Sequence, residues 1–218
     1  MQLSWLHKEK NKKIILFFNG WGMDNNAVAH LSFTEYDVCM FNNYDCSIEN
    51  FDVQFSEYDE INIIAWSVGV LIAELYMIKN KFHISRKIAI SGTPLPAHDS
   101  YGIPVKIFKG TIENLNAVSL TKFQRRTCGC NETYEKCKHI FNQENIDYKK
   151  KELESILHLQ SILSSEKIKW TQAILCKNDL IFPVKNLENY WLPSLNAIYI
   201  DAPHYPFYNW NSWEDIMK

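Results

Sequence analysis

No apolar run in this 218-residue chain is long enough to span a bilayer. The charged opening MQLSWLHKEKNKK leads only into IILFF, which is not the build of a secretion signal. A cytoplasmic location without membrane attachment is therefore expected, with the six cysteines (39, 46, 128, 130, 137 and 176) reduced. An excess of one charge is missing too. Lys and Arg number 23 against 25 Asp and Glu, for a net charge of -2, which argues against a general nucleic-acid binder. No internal repeat, low-complexity tract or flexible linker divides the chain, so its length accommodates one sizeable core with room for an insertion. Metal-site spacing is also lacking. Cys128, Cys130, Cys137 and His139 lie close together, but C-x-C and C-x-H do not match structural zinc patterns, whose paired ligands stand two or more residues apart. Neither a metal nor a cofactor is expected.

What is present alternates. Lys13–Asn19 is a continuous apolar run stopped by Gly20-Trp21-Gly22, the signature of a buried strand and a tight turn. A short helix capped at Asp24 or Asn25 is expected to reach Leu31. Strand-like segments follow at Tyr36–Phe41, Ile61–Trp66 and Lys87–Ser91, with an apolar helix at Val68–Lys79 between the last two. Strands apolar throughout, separated by helices, predict a mostly parallel sheet covered on both faces. The rhythm breaks from about His98 to Glu166, where helical patches replace strands: Val105–Asn114, Val118–Arg126 and Lys149–Ser164. We read residues 98–166 as a helical lid inserted over the carboxyl ends of the strands, with residues 1–97 and 167–218 forming the core. The sheet resumes at Trp170–Cys176, followed by a helix at Val184–Tyr190, a strand at Ala197–Ile200 and a short closing helix over Trp210–Lys218.

The segment INIIAWSVGV places Ser67 between an apolar strand and an apolar helix, the setting of a nucleophile elbow. Ala65 stands where G-x-S-x-G has its first glycine, and is still small. A buried serine at a strand–helix junction would read the same way, so the partners decide. Asp179, in CKNDLIFP, follows a strand and precedes a helix; His204, in IDAPHYPF, follows the last strand. The order Ser67, Asp179, His204 is that of α/β-hydrolases. The chemistry needs all three, because a serine hydroxyl is a weak nucleophile until an imidazole takes its proton, and the carboxylate fixes the imidazole tautomer. Asp201 is a rival acid, but lies three residues from His204 in one loop. Backbone N–H groups of Val68, after the nucleophile, and of Trp21, in the Asn19-Gly20-Trp21-Gly22 turn, are the expected oxyanion donors.

Taken together, FFNGWGMD, IIAWSVGV, SGTPLPAHDSYGIP, IFKGTIENLN, FQRRTCG and APHYPF resemble the BioG-type pimeloyl-[acyl-carrier protein] methyl ester esterases. The resemblance runs over most of the chain, least well over about residues 131–169. It implies an α/β-hydrolase that demethylates pimeloyl-carrier-protein methyl ester on the way to biotin, with Ser67 as nucleophile, His204 as base, Asp179 as acid, and Trp21 and Val68 at the oxyanion hole. Where many relatives of that fold have a histidine before the oxyanion glycines, this chain has Asn19.

Such a substrate asks for an apolar channel and a mouth that admits a protein-borne arm. Trp21, Trp66, Phe123 and Phe141 are candidate walls. Carrier proteins are acidic, and Lys122, Arg125 and Arg126, with Lys106 and Lys109 nearby in sequence, are a candidate basic rim. Arg125 and Arg126 suit the arm's phosphate because guanidinium binds it bidentately. A general short-chain esterase or thioesterase with the same triad, and a non-catalytic binding protein of this fold, are the alternatives.

Overall fold

The structure is a computed structural model that describes residues 1–33, 35–46, 55–141, 145–166 and 168–218. Residues 142–144 of the expected insertion, and its boundary residue 167, lie outside the described residues.

Among the described residues, seven strands form one sheet: β1 (Gln2–His7), β2 (Lys13–Phe18), β3 (Tyr36–Asn42), β4 (Glu60–Trp66), β5 (Arg86–Ile90), β6 (Gln172–Cys176) and β7 (Ile198–Ile200). Their order is β1-β3-β2-β4-β5-β6-β7, and only β1 runs antiparallel to its neighbour. The helices are α1 (Gly69–Lys79), α2 (Val105–Glu113), α3 (Ala117–Thr127), α4 (Asn131–Cys137), α5 (Ile146–Ser161), α6 (Val184–Trp191) and α7 (Trp213–Met217).

The apolar strands are explained by two buried faces. Along β2, Ile14, Leu16 and Phe18 point to one side, where Phe18 meets Tyr76 of α1, in a core that also takes in Ile156 and Leu159 of α5 and Leu187 and Trp191 of α6. Ile15 and Phe17 point to the other, against Leu31, Phe207 and Trp213. Period-two alternation therefore sends each strand residue into one of two cores. Helix α1 lies against β2 and β4 with eight of its residues buried, and accordingly shows no polar stripe.

Several details depart from the sequence reading. The short helix expected to reach Leu31 is a single 3-10 turn, Asn25–Val28, capped by the Asp24 side chain, which accepts the Asn26 N–H at 2.8 Å. The half-buried edge strand β1 was not anticipated, because QLSWLH runs straight into the charged Lys8–Lys13 segment and only one edge of it is paired. Helix α5 starts at Ile146 rather than Lys149, since the Asn145 side chain accepts the Asp147 N–H at 2.8 Å and caps it there. The closing helix begins at Trp213, behind a Ser212 cap, rather than at Trp210. Among the described residues, the α-helices between β5 and β6 are α2 to α5.

Candidate active site

Ser67 follows the last residue of β4 with φ +60, a left-handed conformation that turns its side chain out beyond the sheet. Its N–H donates to the Ile90 carbonyl of β5 at 2.9 Å, which fixes the elbow to the neighbouring strand. Gly69 is required by space: a Cβ there would stand 2.3 Å from the Phe18 carbonyl oxygen and 2.6 Å from that of Asn19. Ala65 needs no such clearance and is fully buried in the core.

The loops after β6 and β7 deliver the partners. His204 Nε2 lies 2.9 Å from Ser67 Oγ, and Nδ1 lies 2.7 Å from Asp179 Oδ2. A carboxylate only accepts, so Nδ1 carries the proton and donates to Asp179, leaving Nε2 to accept from the serine hydroxyl. Asp179 is itself held, its Oδ1 accepting the N–H groups of Ile181 and Phe182 at 2.8 and 2.9 Å. The imidazole stacks on Phe182 with centroids 5.8 Å apart, and the Trp66 indole donates to the His204 carbonyl at 2.9 Å. From α3, the Thr127 carbonyl accepts the Tyr205 N–H at 3.0 Å, securing the loop from above. Asp201 points elsewhere: it is exposed and accepts from the Asn178 amide at 2.7 Å.

The turn after β2 approaches the same point. Asn19 Oδ1 accepts the Gly20 N–H at 2.8 Å, and its amide donates to the Asp24 carbonyl at 3.0 Å. Asn19 thus supports the turn from inside. Among the described residues, neither the Trp21 N–H nor the Val68 N–H is committed to a protein acceptor. Two uncommitted N–H groups beside a serine hydroxyl relayed through histidine to a carboxylate can stabilise the oxyanion of an acyl-transfer intermediate.

Above Ser67 opens a cavity of about 660 Å³, mouth included. Its floor is Ser67, Val68 and His204, and its walls include Trp21 and Trp66 with Phe108 of α2, Phe123 of α3 and Leu153 of α5. Phe123 meets the Trp21 ring edge-on at 4.9 Å. Arg126 also lines the space, and the half-exposed Ile107 and Leu180 stand at its edge. Arg125 does not line the cavity; its guanidinium lies over the Tyr134 ring at 5.5 Å. Phe141, a candidate wall, is instead core: it is buried and bridges to Met23. The cysteines do not converge as a ligand set. Cys128 and Cys137 face each other with sulfurs 2.7 Å apart, while the exposed Cys130 turns to Thr133. Among the described residues, no three His, Cys, Asp or Glu side chains gather where they could hold a metal ion, and no helix is long and apolar enough to cross a membrane.

Two residues of the site's surroundings escaped sequence reading. Lys149 and Glu152 sit in the charged run YKKKELE, which reads as a solvated face, yet both are buried against the Gly20–Gly22 turn. Only the packing of α5 on that turn reveals them.

Several known proteins are similar to this chain over most of its length. The crystal structure of BioG from Haemophilus influenzae superposes with a TM-score of 0.91 over 100% of both chains at 31% identity. A lipase-esterase related protein from Clostridium acetobutylicum, at 15% identity and a TM-score of 0.66, shares the fold, covering 94% of this chain and 92% of its own. A malonyl-[acyl-carrier protein] O-methyltransferase of Bacteroides fragilis is 37% identical over 196 residues, 89% of this chain. The chain spans only 40% of that protein's length. The fold is that of the α/β-hydrolases. Residues 1–216 match the family described as "Pimeloyl-ACP methyl esterase BioG", and the chain belongs to the BioG family.

Proposed function

We propose that the protein is a serine carboxylesterase that hydrolyses the methyl ester of pimeloyl-[acyl-carrier protein] to the free carboxylate and methanol in biotin synthesis. The observation that carries the reading is the Ser67–His204–Asp179 relay, at 2.9 and 2.7 Å, on the floor of a largely apolar cavity in a member of this family. Ser67 attacks the ester carbonyl while His204 takes its proton, and the Trp21 and Val68 N–H groups receive the developing oxyanion. His204 then protonates departing methanol. Water activated by the same imidazole releases the acid. The reaction needs neither a metal nor a cofactor.

The surroundings suit a long acyl chain carried by a protein. Trp21, Phe123 and Leu153 offer the methylene chain an apolar wall, and residues 98–166 act as a lid over the strands' carboxyl ends. Arg126 at the cavity, with Arg125 on the same helix, holds the acidic carrier or the phosphate of its arm. Reversing both charges lowers kcat/KM for the carrier-linked ester and flattens its salt dependence; an unchanged salt slope would remove this assignment. The relative in Bacteroides fragilis, named for methylating a carrier-bound acid, makes the kind of bond that this serine would break. Six free thiols suit a cytoplasmic setting.

The decisive experiment is incubation with carrier-bound pimeloyl methyl ester. Mass spectrometry shows the product lighter by one CH₂ with its thioester intact, and Ser67→Ala abolishes the change. Cleavage of the thioester, or equal activity on small esters, would favour the general thioesterase or short-chain esterase instead. Failure of Ser67 to react with a fluorophosphonate would point to a non-catalytic binding protein.

A further inference from the structure

The two faces of the turn that carries Trp21 are held by different parts of the chain. On one side, the Tyr44 hydroxyl donates to the Asn19 carbonyl at 2.7 Å, with the Phe41 carbonyl 3.0 Å away sharing the same proton. On the other, helix α5 reaches in. The Trp21 indole donates to the Lys149 carbonyl at 2.9 Å, and the Gly22 N–H donates to Glu152 Oε2 at 3.3 Å. The second oxygen of the same carboxylate, Oε1, accepts the Tyr44 N–H at 3.0 Å. Glu152 is only 6% exposed, and Lys149, also buried, brings its amine to Gly22, where an added Cβ would stand 3.4 Å from Nζ.

We propose that Glu152 is a positioning residue for the oxyanion turn, its carboxylate bridging the Gly22 and Tyr44 N–H groups so that the intervening Trp21 N–H is presented toward Ser67. The inference rests on the reading of Trp21 as an oxyanion donor. Three successive peptide planes explain how it works. The Gly20 N–H is committed to Asn19 Oδ1 and the Gly22 N–H to Glu152, so both planes flanking the Trp21 N–H are fixed. Holding both flanking planes fixes the Cα atoms at either end of the middle plane, and the Trp21 indole, donating to the Lys149 carbonyl at 2.9 Å, restrains that residue from turning between them. A carboxylate suits the task because both of its oxygens accept, whereas an amide offers one acceptor and one donor. The acceptor for Gly22 comes from 130 residues along the chain, on a helix that also contributes Leu153 to the cavity wall. Acyl-chain binding and oxyanion geometry are thereby set by one element.

The experiment measures kinetics on carrier-bound pimeloyl methyl ester and inhibition by a trifluoromethyl ketone of similar chain length, whose tetrahedral adduct places an oxyanion in the same hole. Glu152→Gln lowers kcat by about tenfold and Glu152→Leu by about a hundredfold, with KM unchanged, approaching the loss of one oxyanion donor. The ketone's inhibition constant rises by the same factor as kcat falls, and thermal melting shows that the variants are folded. Should Glu152→Leu not fold, Glu152→Gln alone carries the test. A kcat within about twofold of the wild type in the folded variants, or a fall in kcat without loss of ketone affinity, would overturn the inference while leaving the proposed function standing. Wild-type protein without Ser67-dependent hydrolysis would overturn both.

Discussion

Asp179 divides its carboxylate between two tasks, and a single substitution separates them. Oδ1 accepts the Ile181 and Phe182 N–H groups while Oδ2 accepts from His204. In Asp179→Asn the first pair survives, but an amide NH₂ facing Nδ1 forces the proton onto Nε2, where it can no longer receive the serine proton. Loss of kcat by about 10⁴-fold with little change in melting temperature is the expected outcome, read by steady-state kinetics beside thermal denaturation. A different carboxyl, Glu74, bears on stability. Burial pushes it up to about 7, against the Trp170 indole at 2.6 Å and the Ile168 N–H, which pull it down. Its folded-state value exceeds the unfolded one, so stability is fullest while Glu74 is protonated in both states. It then declines by about 3 kcal/mol as pH rises from about 4.5 through 7. Denaturant titrations across that window are expected to show a flatter profile for Glu74→Gln than for the wild type. Ser67, Asp179 and His204 were legible because each stands where an apolar run ends, so residue type and chain position agree. Glu74 and Glu152 were not, because nothing in a helical sequence distinguishes a carboxyl that a distant N–H will bury.

The elements are joined through very little free space. Helix α1 begins so close to the end of β2 that only Gly69 fits between them, and Gly92 is similarly pressed, with a Cβ there 2.1 Å from the Ser67 carbonyl oxygen. Gly69→Ala must drive α1 away from Phe18 and Asn19, at a cost of about 1–3 kcal/mol. Because Asn19 anchors the Gly20–Gly22 turn beside Ser67, activity is expected to fall with the melting temperature in that variant; a wild-type turnover number in a destabilised protein would break the link. The existence of β2, β4 and α1 came readily from their mostly apolar runs, since nearly all of their residues are buried. Elements with one wet side were harder. Strand β1 is paired on one edge only, and α4 shows the mixed sequence NETYEKC with Cys137 its one buried residue. The boundary of α5 moved because one Asn cap outweighed the apolar face used to place it.

At the scale of the whole molecule, the parallel sheet gathers at one edge what the sequence scatters. The turn after β2, the elbow after β4 and the loops after β6 and β7 all emerge at carboxyl ends of strands, which is where sheets of this kind bind ligands. Fold class was therefore legible from the order of the motifs alone. What covers that edge was legible only as helical composition, because the pairing of α5 with the Gly20–Gly22 turn depends on contacts across more than half the chain. The separation between Ser67 and His204, 137 residues, has a further consequence in time. Contacts this distant in sequence reward the chain only after long loops have closed, and folds dominated by them form slowly. The histidine loop is also clasped from three directions, by Trp66, by Thr127 and, through the Tyr205 hydroxyl, by the Ala27 carbonyl at 2.6 Å. In refolding from denaturant, recovery of hydrolysis should trail the return of far-ultraviolet ellipticity, so that turnover becomes a clock for the last docking event rather than for the birth of the sheet.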